Sequence, residues 1–153
     1  THGSLCAMTD SFDAMTDEQV LHTVAAISAG TLVERMGIEF LEATPQRLVA
    51  TMPVAGNTQP YGLLHGGASV VLAETMGSFG SVLHAGPGRV AVGIEINATH
   101  HRAGRSGLVT GVASLLSAGK TMVSYEIVIT DEDGKRVCTS RLTCLIRDLP
   151  PGA

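Results

Sequence analysis

Apolar and polar residues alternate through the second half of the chain, which predicts four consecutive strands. Four sets of residues each share one strand face: Val90, Val92, Ile94 and Ile96; Leu108, Thr110, Val112, Ser114 and Leu116; Thr121, Val123, Tyr125, Ile127 and Ile129; and Cys138, Ser140, Leu142, Cys144 and Ile146. The links between these strands, at residues 102–106, 118–119 and 131–134, are short. Short links indicate antiparallel hairpins, because parallel strands need a long crossover.

The first half of the chain predicts helices on either side of a strand pair. The segment that begins at Thr16 has a capping-box pattern followed by apolar residues at helical spacing. The elements predicted after it are a short helix over residues 30–36, strands over 38–43 and 47–54, a Gly-, Pro- and Asn-rich loop over 56–64, and a long helix over 65–84. One face of the second strand is apolar and holds Leu48, Ala50, Met52 and Val54.

These elements together predict an α+β domain in which one antiparallel six-stranded sheet wraps around one long central helix. The helix and the sheet bury their apolar faces against each other. No crossover helix separates the last four strands, which excludes a Rossmann-type sheet. Residues 16–148 make up the domain. Residues 1–15 carry no periodic pattern and are predicted to be a flexible N-terminal tail, and residues 149–153 a short C-terminal tail.

Charge and composition exclude several classes of partner. The net charge is −4 and no basic stripe is interleaved with aromatic residues, so we expect no nucleic acid as a partner. No apolar run approaches the roughly 18 residues of a membrane span, so we expect no membrane segment. Of the three cysteines, Cys138 and Cys144 would lie about 20 Å apart along one strand. We therefore expect reduced thiols, Cys6 included, and a cytoplasmic protein.

No metal site is predicted. His100 and His101 are adjacent in one strand and therefore point to opposite sides of the sheet. No cluster of cysteines or carboxylates completes a ligand set around either of them.

The long helix, HGGASVVLAETMGSFGSVLHA, holds a single acidic residue, Glu74. A buried carboxylate is costly unless it is bonded or functional. Glu74 is therefore a candidate catalytic group, and the alternative is a solvated carboxylate on a surface helix. The residues that share its face of the helix, at spacings of three and four, are small or apolar: Gly67, Val71, Ser78 and Ser81. The hydroxyl of Ser78 lies one turn from Glu74.

Glycines mark both the start and the interior of this helix. Each glycine inside a helix costs about 1 kcal/mol against alanine, so several in one helix indicate that another backbone or a ligand comes very close. His65, Gly66 and Gly67 open the helix, where N–H groups without an internal partner can stabilise an oxyanion. The alternative is an ordinary junction between loop and helix, with His65 as the cap.

The segment from Asn57 to Ser78 has the pattern N-x-Q-P-x-G-x-x-H-G-G-A, followed after four residues by A-E-T-x-G-S. It resembles the phenylacetate-pathway and 4-hydroxybenzoyl-CoA thioesterases of the hotdog superfamily. The resemblance covers residues 36–147. It implies that residues 16–148 are a hotdog thioesterase domain that hydrolyses an acyl-CoA thioester, with coenzyme A as part of the substrate and no separate cofactor.

The resemblance implies a role for each matching residue. Glu74 corresponds to the carboxylate that attacks the thioester carbonyl or activates water, and the Gly66 N–H to the group that polarises this carbonyl. Gln59 and His65 correspond to side chains that position the thioester, and Ser78 to the hydroxyl that orients the water or the carboxylate. In this family the Gln and the Gly come from one subunit and the Glu from its neighbour.

The residues expected to meet coenzyme A match the family less closely. An Asn followed by Leu-Arg-Pro is usual, whereas residues 97–104 read NATHHRAG, in which Arg102 and Gly104 match and the Leu and Pro do not. A guanidinium suits a coenzyme phosphate, and a solvated hairpin charge is the alternative for Arg102. Related proteins also contact the nucleotide at a hairpin turn, which corresponds here to Gly119, Lys120 and Thr121. The alternative is that these residues form an ordinary hairpin turn without a role in binding.

Fold alone does not decide the function, because hotdog domains also serve as dehydratases and acyl-CoA-sensing modules. The spacing from HGG to Glu74 favours hydrolysis. The alternative function is a non-catalytic acyl-CoA-binding module, in which Glu74 and Ser78 bind a polar acyl group. The acyl group itself is not specified by these residues.

The predicted sheet leaves an open edge, which pairing with another chain removes. The long helix also holds more glycine than its own sheet is expected to require. Both features predict a homodimer, with further pairing into a homotetramer.

Overall fold

Six antiparallel strands form one sheet around a single long helix, as predicted. The structure, a computed structural model, describes residues 12–149. The helices are α1 Asp17–Ser28, α2 Leu32–Arg35 and α3 Gly66–Ala85. The strands are β1 Glu39–Ala43, β2 Arg47–Pro53, β3 Arg89–His100, β4 Leu108–Ala118, β5 Met122–Thr130 and β6 Arg136–Asp148. Their order in the sheet is β1-β2-β4-β5-β6-β3, and every neighbouring pair is antiparallel.

The chain before α1 differs from the prediction. No structure was predicted before Thr16, but Phe12–Ala14 form a short 3-10 helix because the Phe12 ring packs into the core, where it is 8% exposed. The predicted capping box is present: Thr16 and Gln19 each accept the other's backbone N–H through a side-chain oxygen. Residues 1–11 and 150–153, which hold most of both predicted tails and Cys6, lie outside the described residues.

The predicted strand faces turn inward on three strands and outward on β4. The predicted sets on β2, β5 and β6 are buried against α3, apart from Thr121 at the start of β5. On β4 the predicted set lies on the outer face, where Leu108 is 43% and Leu116 is 54% exposed. The inward residues of β4 are Val109, Gly111 and Ala113. Both faces of β4 carry apolar residues, so alternation alone did not identify the buried one.

The prediction for β3 was wrong up to its bulge and right beyond it, because a bulge in the strand exchanges the inward and outward faces. The pairing of β3 with β6 shifts by one residue between Gly93 and Glu95. An inserted residue reverses which side chains face the core beyond it. Val92 and Ile94 are therefore 46% and 54% exposed, whereas Ile96 packs on the core.

Glycines let α3 lie deep in the sheet. A Cβ at Gly77 would lie 2.5 Å from Leu142 Cδ2, and a Cβ at Gly80 would lie 2.6 Å from Tyr125 Cζ and 2.7 Å from Leu48 Cδ1. These contacts come from the chain's own β6, β5 and β2. The expectation that the sheet would not account for the helix glycines was therefore wrong for Gly77 and Gly80.

Cys138 and Cys144 lie fully buried on β6 as free thiols. Between residues 12 and 149, no helix combines the length and the apolar character needed to cross a membrane.

Candidate active site

The loop that leads into α3 is held by an asparagine. The Asn57 side chain donates to the carbonyl oxygens of Met36 and Pro53, each at 2.8 Å. The Asn57 carbonyl in turn accepts the N–H of His65 at 2.9 Å. A short side chain in a loop thus ties the residue before the helix to the strands that precede it.

One N–H group in the first turn of α3 remains available to a ligand. His65 caps the helix: its Nδ1 accepts the Gly67 N–H at 2.8 Å, and its carbonyl accepts the N–H groups of Ala68 and Ser69. Within residues 12–149, the Gly66 N–H has no hydrogen-bond partner. His65 therefore acts as the cap that was the structural alternative, and its capping leaves Gly66 as the free donor.

A cleft of about 390 Å³ lies in front of this donor. The half-buried Gln59 enters it from the loop, whose backbone is fixed where the Gln59 carbonyl accepts the Gly62 N–H at 2.9 Å. The sequence-predicted residues Gln59, Gly66, Arg102 and Gly104 thus come together, with Ser69 and His100 as further lining residues.

His100 is the lining residue that the sequence analysis considered only as a metal ligand. A Cβ at Gly66 would lie 2.9 Å from His100 Nε2, so the imidazole lies against the Gly66 backbone. Beyond the bulge, His100 lies on the same side of β3 as Ile96 and Ala98, toward α3. Alternation continued from Ile96, a member of the predicted set, indicates this side for His100, so the signal was present in the sequence.

Glu74 lies half-buried on α3, beside β3. Its Oε1 occupies the space directly above the Cα of Gly93, so close that a Cβ at Gly93 would require the carboxylate to shift. Burial raises the pKa of the Glu74 carboxyl above its ordinary 4.5. No cation in the described chain offsets this burial, since the four ion pairs found there involve other carboxylates.

Two polar groups lie near Glu74. Burial is the main cause that raises the pKa of the Cys144 thiol, and the charge of Glu74 raises it further. Hydrogen bonding with Ser81 and Ser78 lowers the pKa of the thiol. Ser78 thus lies beside Cys144, one helical turn from Glu74, while the fully buried Ser81 donates its single hydroxyl proton to the Gly77 carbonyl at 2.8 Å.

The structure separates the predicted catalytic residues into two groups. Glu74 and Gly66 are eight residues apart on one helix, which is about 12 Å along its axis. Reacting atoms must approach to about 3–3.5 Å. A thioester polarised by the Gly66 N–H is therefore out of reach of the Glu74 carboxylate of the same chain.

The predicted coenzyme contacts also fall into two groups. Arg102 and Gly104 lie near the start of α3, where the Gly104 carbonyl accepts the Leu64 N–H at 2.8 Å and fixes the approach to the helix. The turn at Gly119, Lys120 and Thr121 lies at the other end of α3, where His84 Nε2 is 3.4 Å from the Gly119 carbonyl oxygen. A helix of 20 residues is about 30 Å long, so one chain does not bring these groups together.

The two adjacent histidines diverge, as alternation predicted. The His100 ring faces Gly66, whereas His101 Nε2 is 2.9 Å from Thr139 Oγ1. Among residues 12–149, no three His, Cys, Asp or Glu side chains come close enough to hold a metal ion.

Comparison with known proteins identifies relatives along most of the chain. The thioesterase superfamily pattern matches residues 61–138. The proofreading thioesterase EntH of Cronobacter turicensis is 50% identical over 127 residues, which are 82% of this chain and 93% of that protein. The crystal structure of thioesterase HI1161 from Haemophilus influenzae is 38% identical, with a TM-score of 0.82 over 87% of this chain and 94% of that one. Thioesterase PA1618 from Pseudomonas aeruginosa, solved as a Gln-to-Ala mutant, is 40% identical with a TM-score of 0.81, over 84% and 94%.

The raised pKa of Glu74 predicts how its charge affects stability. A carboxyl whose pKa is higher in the folded state penalises folding when it is ionised, and the penalty disappears below the pKa of the unfolded chain. Glu74→Gln should therefore raise the thermal midpoint at about pH 8, and this gain should vanish below about pH 4.5. Scanning calorimetry of both proteins across this range measures the difference. Glu126→Gln, an exposed carboxylate on β5, is the control; a stability gain equal to that of the control would contradict burial of the Glu74 charge.

Proposed function

The chain belongs to the thioesterase superfamily, and we propose that this thioesterase hydrolyses acyl-CoA thioesters with Glu74 as the catalytic carboxylate. The observation that carries the proposal is the unpartnered Gly66 N–H, which opens into a cleft beside Gln59. Such a donor suits the oxygen of a thioester carbonyl, on which negative charge develops during attack. The site roles are those of the 4-hydroxybenzoyl-CoA branch that the sequence resembles.

In the proposed reaction, Glu74 accepts a proton from water while the water oxygen bonds to the thioester carbon. The Gly66 N–H stabilises the resulting oxyanion, and Gln59 holds the thioester against this donor. His65, whose Nδ1 caps the helix, has only its Nε2 left to assist in this positioning. When the C=O bond re-forms, the C–S bond breaks, and the departing thiolate takes the proton that Glu74 accepted. Direct attack by the Glu74 carboxylate, followed by hydrolysis of the anhydride, uses the same groups. Ser78 orients the water or the carboxylate in either route.

Burial of Glu74 supports its role as a base. A base is most effective when its pKa lies close to the working pH, and desolvation moves the pKa of Glu74 upward from 4.5. The absence of a cation partner within residues 12–149 leaves the carboxylate free to accept a proton.

We propose that each active site is shared between two subunits that pair along β3. In the described part of the chain, β3 pairs only with β6, and its other edge is open over 12 residues. Glu74 lies beside this open strand, and its separation of about 12 Å from Gly66 supports a site to which two chains contribute. A second chain on this edge would place its own Gly66 and Gln59 near Glu74.

Antiparallel pairing of two β3 strands would also unite the proposed coenzyme contacts. The Arg89 end of β3 lies beside the Gly119 turn, since Arg89 Nη2 donates to the Lys120 carbonyl at 2.6 Å. The other end of β3 leads into Arg102. A two-fold axis across the strand places one subunit's Arg102 near the partner's turn, so that both contact one coenzyme A.

We further propose a cytoplasmic homodimer, paired into a homotetramer, that needs no separate cofactor. Buried reduced thiols suit a reducing compartment. The exposed Leu116 and Met122, at 54% and 50%, lie on the outer face of the sheet and provide apolar surface for a further contact.

The first prediction for function concerns Glu74. Glu74→Ala should reduce the turnover of acyl-CoA by about 10² or more, with the fold retained, because the group that activates or replaces water is lost. A panel of acyl-CoA substrates with a thiol reagent measures turnover, and Glu126→Ala serves as a control carboxylate. Saturable acyl-CoA binding by the wild type without release of thiol would instead indicate the non-catalytic module.

The second prediction concerns coenzyme recognition. Arg102→Ala should raise KM for acyl-CoA by about tenfold, the usual cost of a lost hydrogen bond to a charged group. It should leave short thioesters without the nucleotide unaffected. Arg105→Ala in the same loop, outside the Gln59 cleft, is the matched control. Equal losses on both kinds of substrate would argue for a structural role of Arg102.

The third prediction tests the shared site. Gln59→Ala and Glu74→Ala should each be nearly inactive. When the two variants are refolded together, a mixed dimer has one site with both lesions and one with neither, so about a quarter of the wild-type activity should return. Mass spectrometry under native conditions confirms that mixed dimers are present. No recovery in their presence would reject the shared site and leave the role of Glu74 intact.

A further inference from the structure

Gly93 is a glycine that the core does not require. It lies on β3, the edge strand, and is exposed. A Cβ there would make only ordinary contact with the core, at 3.6 Å from Leu142 Cδ1. The same Cβ would collide with the carboxylate of Glu74, inside 3.0 Å of Oε1 and 3.4 Å from Cδ. The space that a side chain at Gly93 would fill is thus occupied by Glu74.

We infer that Gly93 is a positioning residue for the proposed active site. Because Gly93 has no side chain, the Glu74 carboxylate can lie directly against the β3 backbone, and this contact holds it in place for catalysis. The inference rests on the proposed role of Glu74. A larger residue at this position would turn the carboxylate away from β3, and displacement of a reacting group by about 1 Å is enough to cost on the order of 10²-fold in rate.

The β3 bulge determines that Gly93 faces the helix. The register shift follows Gly93 directly, so the inward side of β3 passes from Gly93 to Ile96. Glu95 is held on the outer face, where it accepts from Asn97 Nδ2 at 2.9 Å and pairs with Arg141 at 3.5 Å. These outer contacts fix the bulge and keep the charges of Glu95 and Arg141 away from Glu74.

Among residues 12–149, no ion pair reaches the Glu74 carboxylate where it lies against Gly93. Cys144 is the cross-strand partner of Gly93 and is fully buried. It is the titratable group that β6 presents to Glu74, and Ser78 is the neighbouring hydroxyl on α3. Burial alone raises the pKa of Glu74, so an added methyl group on β3 should raise it further by excluding more water.

The test is Gly93→Ala. We expect kcat for acyl-CoA to fall by about tenfold or more, with KM changed little, because the substrate contacts of Gln59 and Arg102 are untouched. The acidic limb of the kcat profile should move to higher pH. The matched control is Gly111→Ala on β4: its Cβ would lie 2.5 Å from Met76 Sδ, also on α3, but far from Glu74 in the fold. This control should cost stability without changing kcat or its pH profile.

A second measurement tests the inference even if Gly93→Ala is too unstable for kinetics. If the collision is with the Glu74 carboxylate, Glu74→Ala should recover most of the thermal midpoint lost through Gly93→Ala, and should recover none of the loss caused by Gly111→Ala. Additive losses in this cycle, or a normal kcat in Gly93→Ala, would overturn the positioning role. Normal turnover in the single variant Glu74→Ala would instead refute the proposed function, so the two failures are distinguishable.

Discussion

The depth at which α3 lies in the sheet is the constraint on which the rest of the structure depends. Small residues at Gly77 and Gly80 let the side chains of Leu142, Tyr125 and Leu48 reach the helix backbone. With few aromatic residues in the chain, 3% of the total, the core is filled by this close approach rather than by large rings. The close approach also brings the neighbouring face of α3 against β3, and it is this face that carries Glu74.

Because α3 is rigid, it fixes the distance between Gly66 and Glu74 within one chain. The proposed oxyanion donor at Gly66 and the carboxylate at Glu74 lie on the same helix, at a spacing that no side-chain rotation closes. The helix start lies beside Gln59, and the middle of the helix lies beside an unpaired edge strand. An edge of 12 residues with exposed Val92 and Ile94 is a surface that soluble proteins seldom leave uncovered. The same geometry therefore supplies the reason for pairing and the site that pairing would complete.

Sequence patterns predicted the fold well because its strands alternate and its links are short. On β5 and β6 the charged residues Glu126 and Arg141 mark the outer face, so the buried side was evident. On β4 no charged residue marks either face, and the buried side was not evident. The β3 bulge was missed because Val90, Val92, Ile94 and Ile96 continue an unbroken alternation through it. A bulge depends on pairing with β6, which local sequence does not record. The same omission concealed the contact of Gly93 with Glu74, since the side of β3 that faces the helix changes at the bulge, directly after Gly93. His100 was missed for another reason: it was considered only as a metal ligand, although alternation from Ile96 indicated its side.

The candidate site itself was predictable where its chemistry is local and unpredictable where it depends on contacts between elements. His65, Gly66 and Glu74 were found because capping residues, free N–H groups and a lone carboxylate are properties of one helix. The pKa of Glu74 is not a property of one helix. It is raised because β3 and β6 exclude water from the carboxyl without supplying a cation. A solvated carboxylate would be a weaker base, and a paired one would be held in its ionised form. The sheet therefore does more than support the helix, since it determines the proton affinity of the residue on which the proposed hydrolysis depends.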